Sequence, residues 1–267
     1  MSTQLERIVA NTRAEVSERR ASVSLHELER RASAHVPRGF TAGLRSAAQT
    51  RPAVISELKK ASPSRGLIRQ DFNPVELAVS LEKAGAAALS VLTDERFFQG
   101  SLAYLESSSQ VVRIPCLRKD FIVDPFQIVE ARAYRADAIL LIVAALTDAE
   151  LKGLSNEARR CELDVLCEIH DEEELNRAVA LGFDVIGVNS RNLHTMQVQP
   201  EVQLRLGELL PAGSVRVAES GIRTPADIAR MLDAGYNAFL IGESLMREPD
   251  PGAALAALLQ PETSARV

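Results

Sequence analysis

The sequence has few of the features that mark exported, membrane-bound or nucleic-acid-binding proteins. No apolar run approaches the roughly 18 residues of a membrane-spanning helix, and the N-terminal segment MSTQLERIVANTRAEV has no signal-peptide core. The formal net charge is −5 and no basic face or tail is visible, which argues against a protein that coats nucleic acid. We therefore expect a cytoplasmic protein that binds neither membranes nor nucleic acids.

Cysteine and histidine are scarce as well. The three cysteines are Cys116, Cys161 and Cys167, an odd number without metal-ligand spacing, which predicts buried thiols rather than disulfides or a structural zinc site. The histidines are His26, His35, His170 and His194, and no cluster of His and Asp has ordinary metal-ligand spacing. His170 is interpreted as a residue of a loop or a helix start. We expect no metal ion.

From about residue 53 the chain repeats a short apolar run followed by a helical segment. The runs are AVISEL (53–58), AALSVLT (87–93), RIPCLR (113–118), AILLIV (138–143), DVLCEI (164–169), DVIGVN (184–189), VRVAES (215–220) and AFLIG (238–242). Apolar strands that alternate with helices are typical of a parallel sheet covered by helices. Eight such units predict a closed (β/α)8 TIM barrel, with a doubly wound open sheet as the alternative. No G-x-G-x-x-G follows the first run, which counts against a dinucleotide enzyme.

Helix-start and helix-stop signals lie between these runs. Five capping patterns open the helical segments at Asn73–Glu76, Asp124–Gln127, Thr147–Glu150, Asp171–Glu174 and Thr224–Asp227. Gly85, Gly182 and Gly235 stand where a helix must stop before the next strand. Residues 2–34 carry an amphipathic stripe that predicts two short helices outside the main fold. We expect a single domain over residues 1–267, with a helical extension at 1–45 and the barrel at 46–260.

Seven of the eight runs end in polar residues, and only the fourth ends apolar. In a barrel of this type the chemistry lies at the carboxyl ends of the strands. Alternate residues of a strand share a face, so Ile55, Glu57 and Lys59 point the same way, and Lys60 points the other way. If the polar-ended faces point inward, acids and lysines from several strands meet at one mouth. Burial there is expected to lower the pKa of a lysine and to raise the pKa of a carboxyl group, which suits proton transfer near neutral pH.

Small residues at the ends of the last two runs predict an anion site. Glu219–Ile222 and Ile241–Ser244 place glycine and serine in the seventh and eighth loops. Barrels often bind phosphate in these loops through backbone N–H groups. A phosphorylated substrate is therefore expected.

Eight segments follow one another over residues 53–246, namely ELKKASPSRG, LSVLTDERFFQGS, LRKDFIVDPFQI, ILLIVAAL, LCEIHDEEEL, IGVNSRNLHT, VAESGI and NAFLIGESLM. In this order they resemble the indole-3-glycerol-phosphate synthase family of tryptophan biosynthesis. The resemblance implies a TIM barrel with an N-terminal two-helix extension. It also implies conversion of 1-(2-carboxyphenylamino)-1-deoxyribulose 5-phosphate to indole-3-glycerol phosphate, carbon dioxide and water. No cofactor is implied, since a cationic iminium-like adduct is itself the electron sink for the departing carboxylate.

The resemblance also implies roles for individual residues. Lys119 looks like the general acid that protonates the ribulose carbonyl oxygen, and Glu168 looks like its partner in ring closure and dehydration. Lys59 resembles the residue that holds the substrate carboxylate or shuttles a second proton. The groups that orient the lysines and stabilise the charged intermediate would be Glu57, Asn189 and Glu219.

The same resemblance implies a binding site for each end of the substrate. The phosphate would contact Ser62, Gly221, Gly242, Glu243 and Ser244, mainly through backbone N–H groups. The anthranilate ring would lie among Phe98, Phe121, Leu140, Arg191 and Leu193, and Ser220 is also assigned to the substrate. Glu243 departs from family members that have a small hydroxyl residue at this position, so a hydroxyl contact from it is not expected.

Two alternatives remain at the level of the sequence. Phosphoribosylanthranilate isomerase is also a phosphate-binding barrel, but its chemistry calls for a cysteine and an aspartate at strand ends, and neither is well placed here. A barrel that binds a phosphorylated metabolite without turnover is the other alternative, and the presence of Lys59, Lys119 and Glu168 counts against it. We expect a monomer.

Overall fold

Eight parallel strands close into a barrel in the computed structural model, which describes residues 3–192 and 197–260. The strands are β1 (Ala53–Leu58), β2 (Ala88–Leu92), β3 (Cys116–Lys119), β4 (Ala138–Ile142), β5 (Asp164–Ile169), β6 (Val185–Asn189), β7 (Val215–Glu219) and β8 (Ala238–Ile241). β1 pairs with both β2 and β8, which closes the sheet on itself. The predicted TIM barrel is confirmed, and the open-sheet alternative is wrong.

Helices surround this barrel. They are α1 (Gln4–Ser22), α2 (Leu25–Ser33), α3 (Phe40–Ala48), α4 (Pro74–Lys83), α5 (Glu95–Phe98), α6 (Leu102–Val111), α7 (Pro125–Ala133), α8 (Asp148–Arg160), α9 (Glu172–Ala180), α10 (Pro200–Gly207), α11 (Pro225–Asp233), α12 (Glu243–Met246) and α13 (Pro251–Leu258). A short antiparallel hairpin follows β1, in which Ala61–Ser62 pairs with Gly66–Leu67. A 3-10 turn spans Val143–Ala145. None of the helices in the described ranges has the length and apolar character that a membrane span requires.

All five predicted helix starts are present, but they are not equivalent. Asp124, Thr147 and Thr224 each form a reciprocal capping box with the residue three positions on. Asp171 accepts a hydrogen bond from the Glu174 backbone N–H, yet the Glu174 carboxylate does not return to the cap. It bonds to His170 instead.

The barrel interior is filled from the strand faces that end in polar residues. Ile55, Val185 and Val217 pack together inside the barrel with other lumen residues. Their neighbours in sequence, such as Val54 and Ile186, belong to the layer between the strands and the helices. The polar-ended faces therefore point into the lumen, which alternation alone left open.

The helices ahead of the barrel differ from the prediction. α1 and α2 are the two expected helices, although α1 is 19 residues long and lines the central cavity with Gln4, Leu5 and Ile8, so it is not outside the main fold. α3 was not predicted, and the expected boundary at residue 45 falls within it. Phe40 and Leu44 are fully buried against the first residues of the strands, so α3 covers the amino-terminal end of the barrel.

Candidate active site

A cavity of about 930 Å³ opens at the carboxyl ends of the strands. It is lined by sixteen of the predicted site residues, which are Glu57, Lys59, Ser62, Phe98, Lys119, Phe121, Leu140, Glu168, Asn189, Arg191, Glu219, Ser220, Gly221, Gly242, Glu243 and Ser244. Leu193 lies outside the described residues. The fold thus brings together the polar strand ends that the sequence places far apart.

Lys119 lies at the centre of the acidic side chains in this cavity. Its Nζ donates a hydrogen bond to Glu168 Oε2 at 3.1 Å and lies 3.8 Å from Glu219 Oε2. Both carboxylates are only 2% exposed. One ammonium group is therefore shared by two buried acids.

The outward face of β3 fixes the backbone that carries Lys119. Arg118 is 1% exposed and forms ion pairs of 2.9 Å with both Asp120 and Glu130. Its Nη1 also donates to the Gln127 carbonyl oxygen. A buried arginine with partners for most of its donors holds the strand end in one position.

The lysine does not have the lowered pKa that burial alone predicted. Burial lowers the pKa of Lys119, but the charges of Glu168, Glu219 and Glu57 outweigh it and raise the pKa above the ordinary value. Burial likewise raises the pKa of Glu168, but Lys119 and His170 hold it below its usual range. The sequence predicted that both groups are buried, but it did not give the distance between them. The expected direction of the pKa shift was therefore wrong for Lys119 and for Glu168.

Glu219 behaves differently from Glu168. Burial, followed by the neighbouring Glu168 charge, raises the pKa of Glu219 well above its ordinary value, which Lys119 only partly offsets. Its Oε1 has no hydrogen-bond partner within the described part of the chain. A side chain at Gly187 would overlap this oxygen, so glycine on β6 provides the space that Glu219 occupies.

A second lysine and carboxylate pair lies beside the aromatic side chains. Lys59 Nζ donates to Glu57 Oε2 at 3.1 Å and lies 5.7 Å from the centre of the Phe98 ring. The Phe98 and Phe121 rings are 6.2 Å apart. Asp94 caps α5 by accepting the Phe98 N–H, and burial raises the pKa of this carboxyl group to about 6. A cation and two rings thus share one side of the cavity.

Asn189 and Ser220 are linked where β6 and β7 end. Ser220 Oγ donates to Asn189 Oδ1 at 2.9 Å, and the Arg191 N–H donates to the same oxygen at 3.0 Å. Ser220 and Gly221 have φ values of 70° and 84°, a left-handed conformation that is uncommon for serine. The loop that leaves β7 is therefore held in a sparsely populated backbone conformation.

The predicted phosphate residues line the same cavity. Ser62 is 6% exposed, and its Oγ has no hydrogen-bond partner among the residues that the structure describes. Ser244 Oγ donates to the Ile222 carbonyl oxygen at 3.0 Å, which leaves its backbone as the contact for a ligand. A side chain at Gly242 would come within 2.8 Å of Glu57 Cβ, so this glycine also makes room for a predicted catalytic acid.

Glu243 lies against three guanidinium groups. Arg65 Nε and Arg247 Nη2 are each 3.1 Å from Glu243 Oε1, and Arg191 Nη2 is 3.7 Å from Glu243 Oε2. Only Arg191 was assigned to the substrate from the sequence. Arg65 lies in the segment ELKKASPSRG, and Arg247 follows Glu243 by four residues, about one helical turn. Both positions could have pointed to these arginines from the sequence.

His170 is the other residue that the sequence interpretation missed. Its Nε2 lies 3.3 Å from Glu168 Oε1, on the side away from Lys119, and its Nδ1–H donates to Glu174 Oε2 at 3.1 Å. It follows β5 directly, so the interpretation as a loop residue placed it correctly and overlooked its contact. No group of three or more His, Cys, Asp or Glu side chains suited to a metal ion exists within residues 3–192 and 197–260.

A sequence model of the indole-3-glycerol phosphate synthase family matches residues 5–258. The chain belongs to that family. It is also 60% identical over 259 residues to the indole-3-glycerol phosphate synthase of Koribacter versatilis (strain Ellin345), which covers 97% of this chain and 100% of the relative.

Family membership confirms the predicted function. The chain is an enzyme of the carboxy-lyase class that makes indole-3-glycerol phosphate in tryptophan biosynthesis, and it acts on a small phosphorylated substrate. The isomerase alternative is set aside.

Solved structures with low sequence identity share the fold. The N-acetylmannosamine-6-phosphate 2-epimerase of Clostridium perfringens is 15% identical with a TM-score of 0.58, over 74% of this chain and 89% of its own. The thiamine phosphate pyrophosphorylase of Pyrococcus furiosus is 18% identical with a TM-score of 0.59, over 80% of this chain and 95% of its own. At these identities the likeness concerns the barrel alone.

Proposed function

We propose that Lys119 is the general acid of the ring closure, with Glu168 as its partner. The observation that carries this assignment is the hydrogen bond of 3.1 Å from Lys119 Nζ to the buried Glu168 carboxylate. The raised pKa of Lys119 keeps it protonated at neutral pH. The developing alkoxide on the ribulose oxygen is more basic than an amine, so proton transfer from Lys119 to it is favourable.

Glu168 then serves as the base in dehydration. Its lowered pKa keeps it ionised, so it is ready to accept the carbon-bound proton that must leave when the indole double bond forms. Loss of the hydroxyl group as water requires a second proton at the same stage. Because the first proton was used to protonate the carbonyl oxygen, a second donor has to be near.

Lys59 is assigned to the substrate carboxylate and to that second proton. Its ammonium lies beside the Phe98 ring, where the anthranilate carboxylate would be found if the ring lies against Phe98 and Phe121. Once carbon dioxide has left, Lys59 no longer holds the substrate carboxylate and can donate a proton to the departing hydroxyl. Glu57 orients Lys59 through the hydrogen bond of 3.1 Å. Glu219, 3.8 Å from Lys119, helps to orient that second lysine.

Asn189 and Ser220 shape the wall between the two ends of the substrate. Their hydrogen bond of 2.9 Å holds both side chains at the cavity surface, where they contact the ribulose portion. Leu140, which is 2% exposed, forms the apolar floor beneath the ring. Arg191 faces the same region from the end of β6, and the predicted contact of Leu193 falls outside the described residues.

The phosphate binds on Ser62, Gly221, Gly242, Glu243 and Ser244, which line the same cavity. The unpartnered and buried Ser62 hydroxyl supports this placement because a buried polar group normally has a hydrogen-bond partner. The guanidinium groups of Arg65, Arg191 and Arg247 supply positive charge nearby.

Turnover tests this assignment directly. The purified protein is incubated with the carboxyphenylamino-deoxyribulose phosphate, and indole fluorescence is followed with time. We expect a signal for the wild type and a loss of about a hundredfold or more for Glu168→Gln, since a general base contributes on that order. Substrate binding without fluorescence would favour a barrel that binds and does not turn over. Full activity of Glu168→Gln would remove Glu168 from the mechanism.

The monomeric state, the cytoplasmic location and the absence of a cofactor remain part of the proposal. Light scattering of the purified chain tests the first, and cell fractionation tests the second. Activity that survives exhaustive dialysis against a chelator supports cofactor-free chemistry, whereas recovery only after addition of a metal ion would contradict it.

A further inference from the structure

The Glu174 side chain is diverted from the role that its position predicts. Glu174 is the third residue of α9, where the acid of a capping box bonds back to the cap backbone. Its Oε2 instead accepts hydrogen bonds from the His170 backbone N–H at 2.8 Å and from His170 Nδ1 at 3.1 Å. The helix start gives up one hydrogen bond, and the imidazole ring gains an acidic partner.

The other ring nitrogen is directed at Glu168. His170 Nε2 lies 3.3 Å from Glu168 Oε1, while Glu168 Oε2 accepts from Lys119 at 3.1 Å. Nε2 makes no aligned hydrogen bond within the described part of the chain, so its attraction to Glu168 is mainly that of opposite charges. The side chains of His170 and Glu174 are each 13% exposed, which limits screening by solvent.

The charges of this region balance when the imidazole is protonated. Four carboxyl groups, Glu57, Glu168, Glu174 and Glu219, lie near two lysines, Lys59 and Lys119. If Glu219 holds a proton, three negative charges remain against two positive ones. A third cation is then required for neutrality, and His170 is the group between two of the acids. Unbalanced buried charge is costly, so the arrangement favours the imidazolium.

We propose that His170 is a positioning residue that stays positively charged in the working enzyme and, held by Glu174, keeps Glu168 ionised with Oε2 turned toward Lys119. The inference deepens the proposed function, because it rests on the role given there to Glu168. In this arrangement the Glu174 carboxylate holds the His170 imidazolium in place, and the imidazolium in turn lies against the Glu168 carboxylate.

The surrounding charges agree with this state. Burial lowers the pKa of His170, but Glu168 and Glu174 raise it to about 10. Arg177, a cation on α9, is engaged with Asp148 and with the Leu146 carbonyl oxygen. Asp171, the neighbouring acid, accepts the Glu174 backbone N–H.

Nuclear magnetic resonance of the histidine rings tests the charge without any assay of activity. The chain has four histidines, and the His170 signal is assigned by its loss in His170→Gln. We expect the His170 ring to remain doubly protonated from pH 6 to pH 8 in the wild type and to titrate at lower pH in Glu174→Gln. A wild-type ring that titrates near pH 6.5, or one that Glu174→Gln leaves unchanged, would overturn the proposal.

Kinetics test the consequence for Glu168. In His170→Gln we expect the acid limb of the kcat profile to move up by about one pH unit, since a nearby opposite charge shifts a carboxyl pKa by that order. Glu174→Gln should move the acid limb less than His170→Gln does, because its imidazole is still protonated at the low pH where that limb lies. His26→Gln, at an exposed position of α2, is the control and should match the wild type. A pure loss of stability lowers activity without moving the acid limb, and an unmoved acid limb in His170→Gln would contradict the inference.

The two proposals fail in distinguishable ways. If Glu168→Gln retains full activity, the proposed role of Glu168 is wrong. If Glu168→Gln is inactive and both His170→Gln and Glu174→Gln keep the wild-type pH profile, only the role of His170 is wrong.

Discussion

Gly187 and Glu219, on adjacent strands, are in such close contact that only glycine leaves room for the carboxylate. A Cβ at position 187 would overlap Glu219 Oε1 and would also come within 3.1 Å of Leu166 Cδ1. The buried acid therefore depends on an absent side chain on the next strand. The requirement for glycine here is steric and not conformational, because Gly187 does not have a positive φ.

Gly187→Ala should displace Glu219 from Lys119. We expect a loss in kcat of at least tenfold and a loss in stability of about 1–3 kcal/mol, which is the usual cost of overpacking. Steady-state kinetics and urea unfolding measure the two effects. Gly153→Ala is the matched control, because a side chain there meets nothing within 4 Å, and on the exposed face of α8 it should be neutral or slightly stabilising. Wild-type kinetics in Gly187→Ala would show that Glu219 does not need its position.

Glu243→Ser should strengthen phosphate binding. Removal of the carboxylate takes away the acid that competes with an anionic ligand for the guanidinium groups of Arg65, Arg191 and Arg247. We expect the inhibition constant of inorganic phosphate to fall by about threefold to tenfold, the scale of a partly exposed ion pair. Glu208→Ser removes an exposed acid that caps the carboxyl end of α10 and does not line the cavity, so it should leave the constant unchanged. Weaker inhibition in Glu243→Ser would mean that Glu243 holds the arginines in their binding positions.

His170→Gln should change the pH dependence of stability. The folded-state pKa of His170 is raised to about 10, above its ordinary value of 6.5. A group with a raised pKa contributes stability that is fully present below the unfolded pKa and is lost as pH rises through the folded value. The difference in free energy of unfolding between wild type and His170→Gln should therefore be largest at pH 6 and shrink toward pH 10. Urea unfolding across this range measures it, and a difference independent of pH would contradict the charge assignment.

Phe40→Ala should destabilise the barrel and spare the chemistry. Phe40 is fully buried at the amino-terminal end of the lumen, away from the cavity that holds Lys119. We expect a loss of about 3–5 kcal/mol in stability, as for a phenylalanine removed from a core, with kcat unchanged in the folded fraction. Leu25→Ala removes a large side chain that is 49% exposed on α2 and should cost little. A small effect at Phe40 would show that α3 is not needed to close the barrel.

The sequence predicted the barrel and the residues that line its carboxyl-terminal end, because both follow from local patterns. Period-two alternation placed Glu57, Asn189 and Glu219 each on one strand face with apolar residues, and the structure shows that this face points into the lumen. α3 escaped prediction because it lacks a start signal. Gly39 precedes it with a φ of 76° and makes no side-chain capping bond, so tertiary packing rather than capping defines this helix.

Distances between side chains of different strands could not be predicted. The pKa of Lys119 moves upward because three acids come near it, and alternation alone does not give that count. The contact between His170 and Glu168 was hidden for another reason. The capping pattern at Asp171 assigns the Glu174 carboxylate to the helix start, and nothing in the sequence indicates that it bonds to His170 instead.

The central claim is that Lys119 donates the proton that starts ring closure. Lys119→Ala, assayed by indole fluorescence over a range of substrate concentrations, tests it most directly. Lys60→Ala is the matched control, since Lys60 follows Lys59 in the chain and does not line the cavity. We expect kcat of Lys119→Ala to fall by a hundredfold or more, on the order of the loss of a general acid, with little change in KM, and Lys60→Ala to behave as wild type. A raised KM with kcat unchanged in Lys119→Ala would contradict the account.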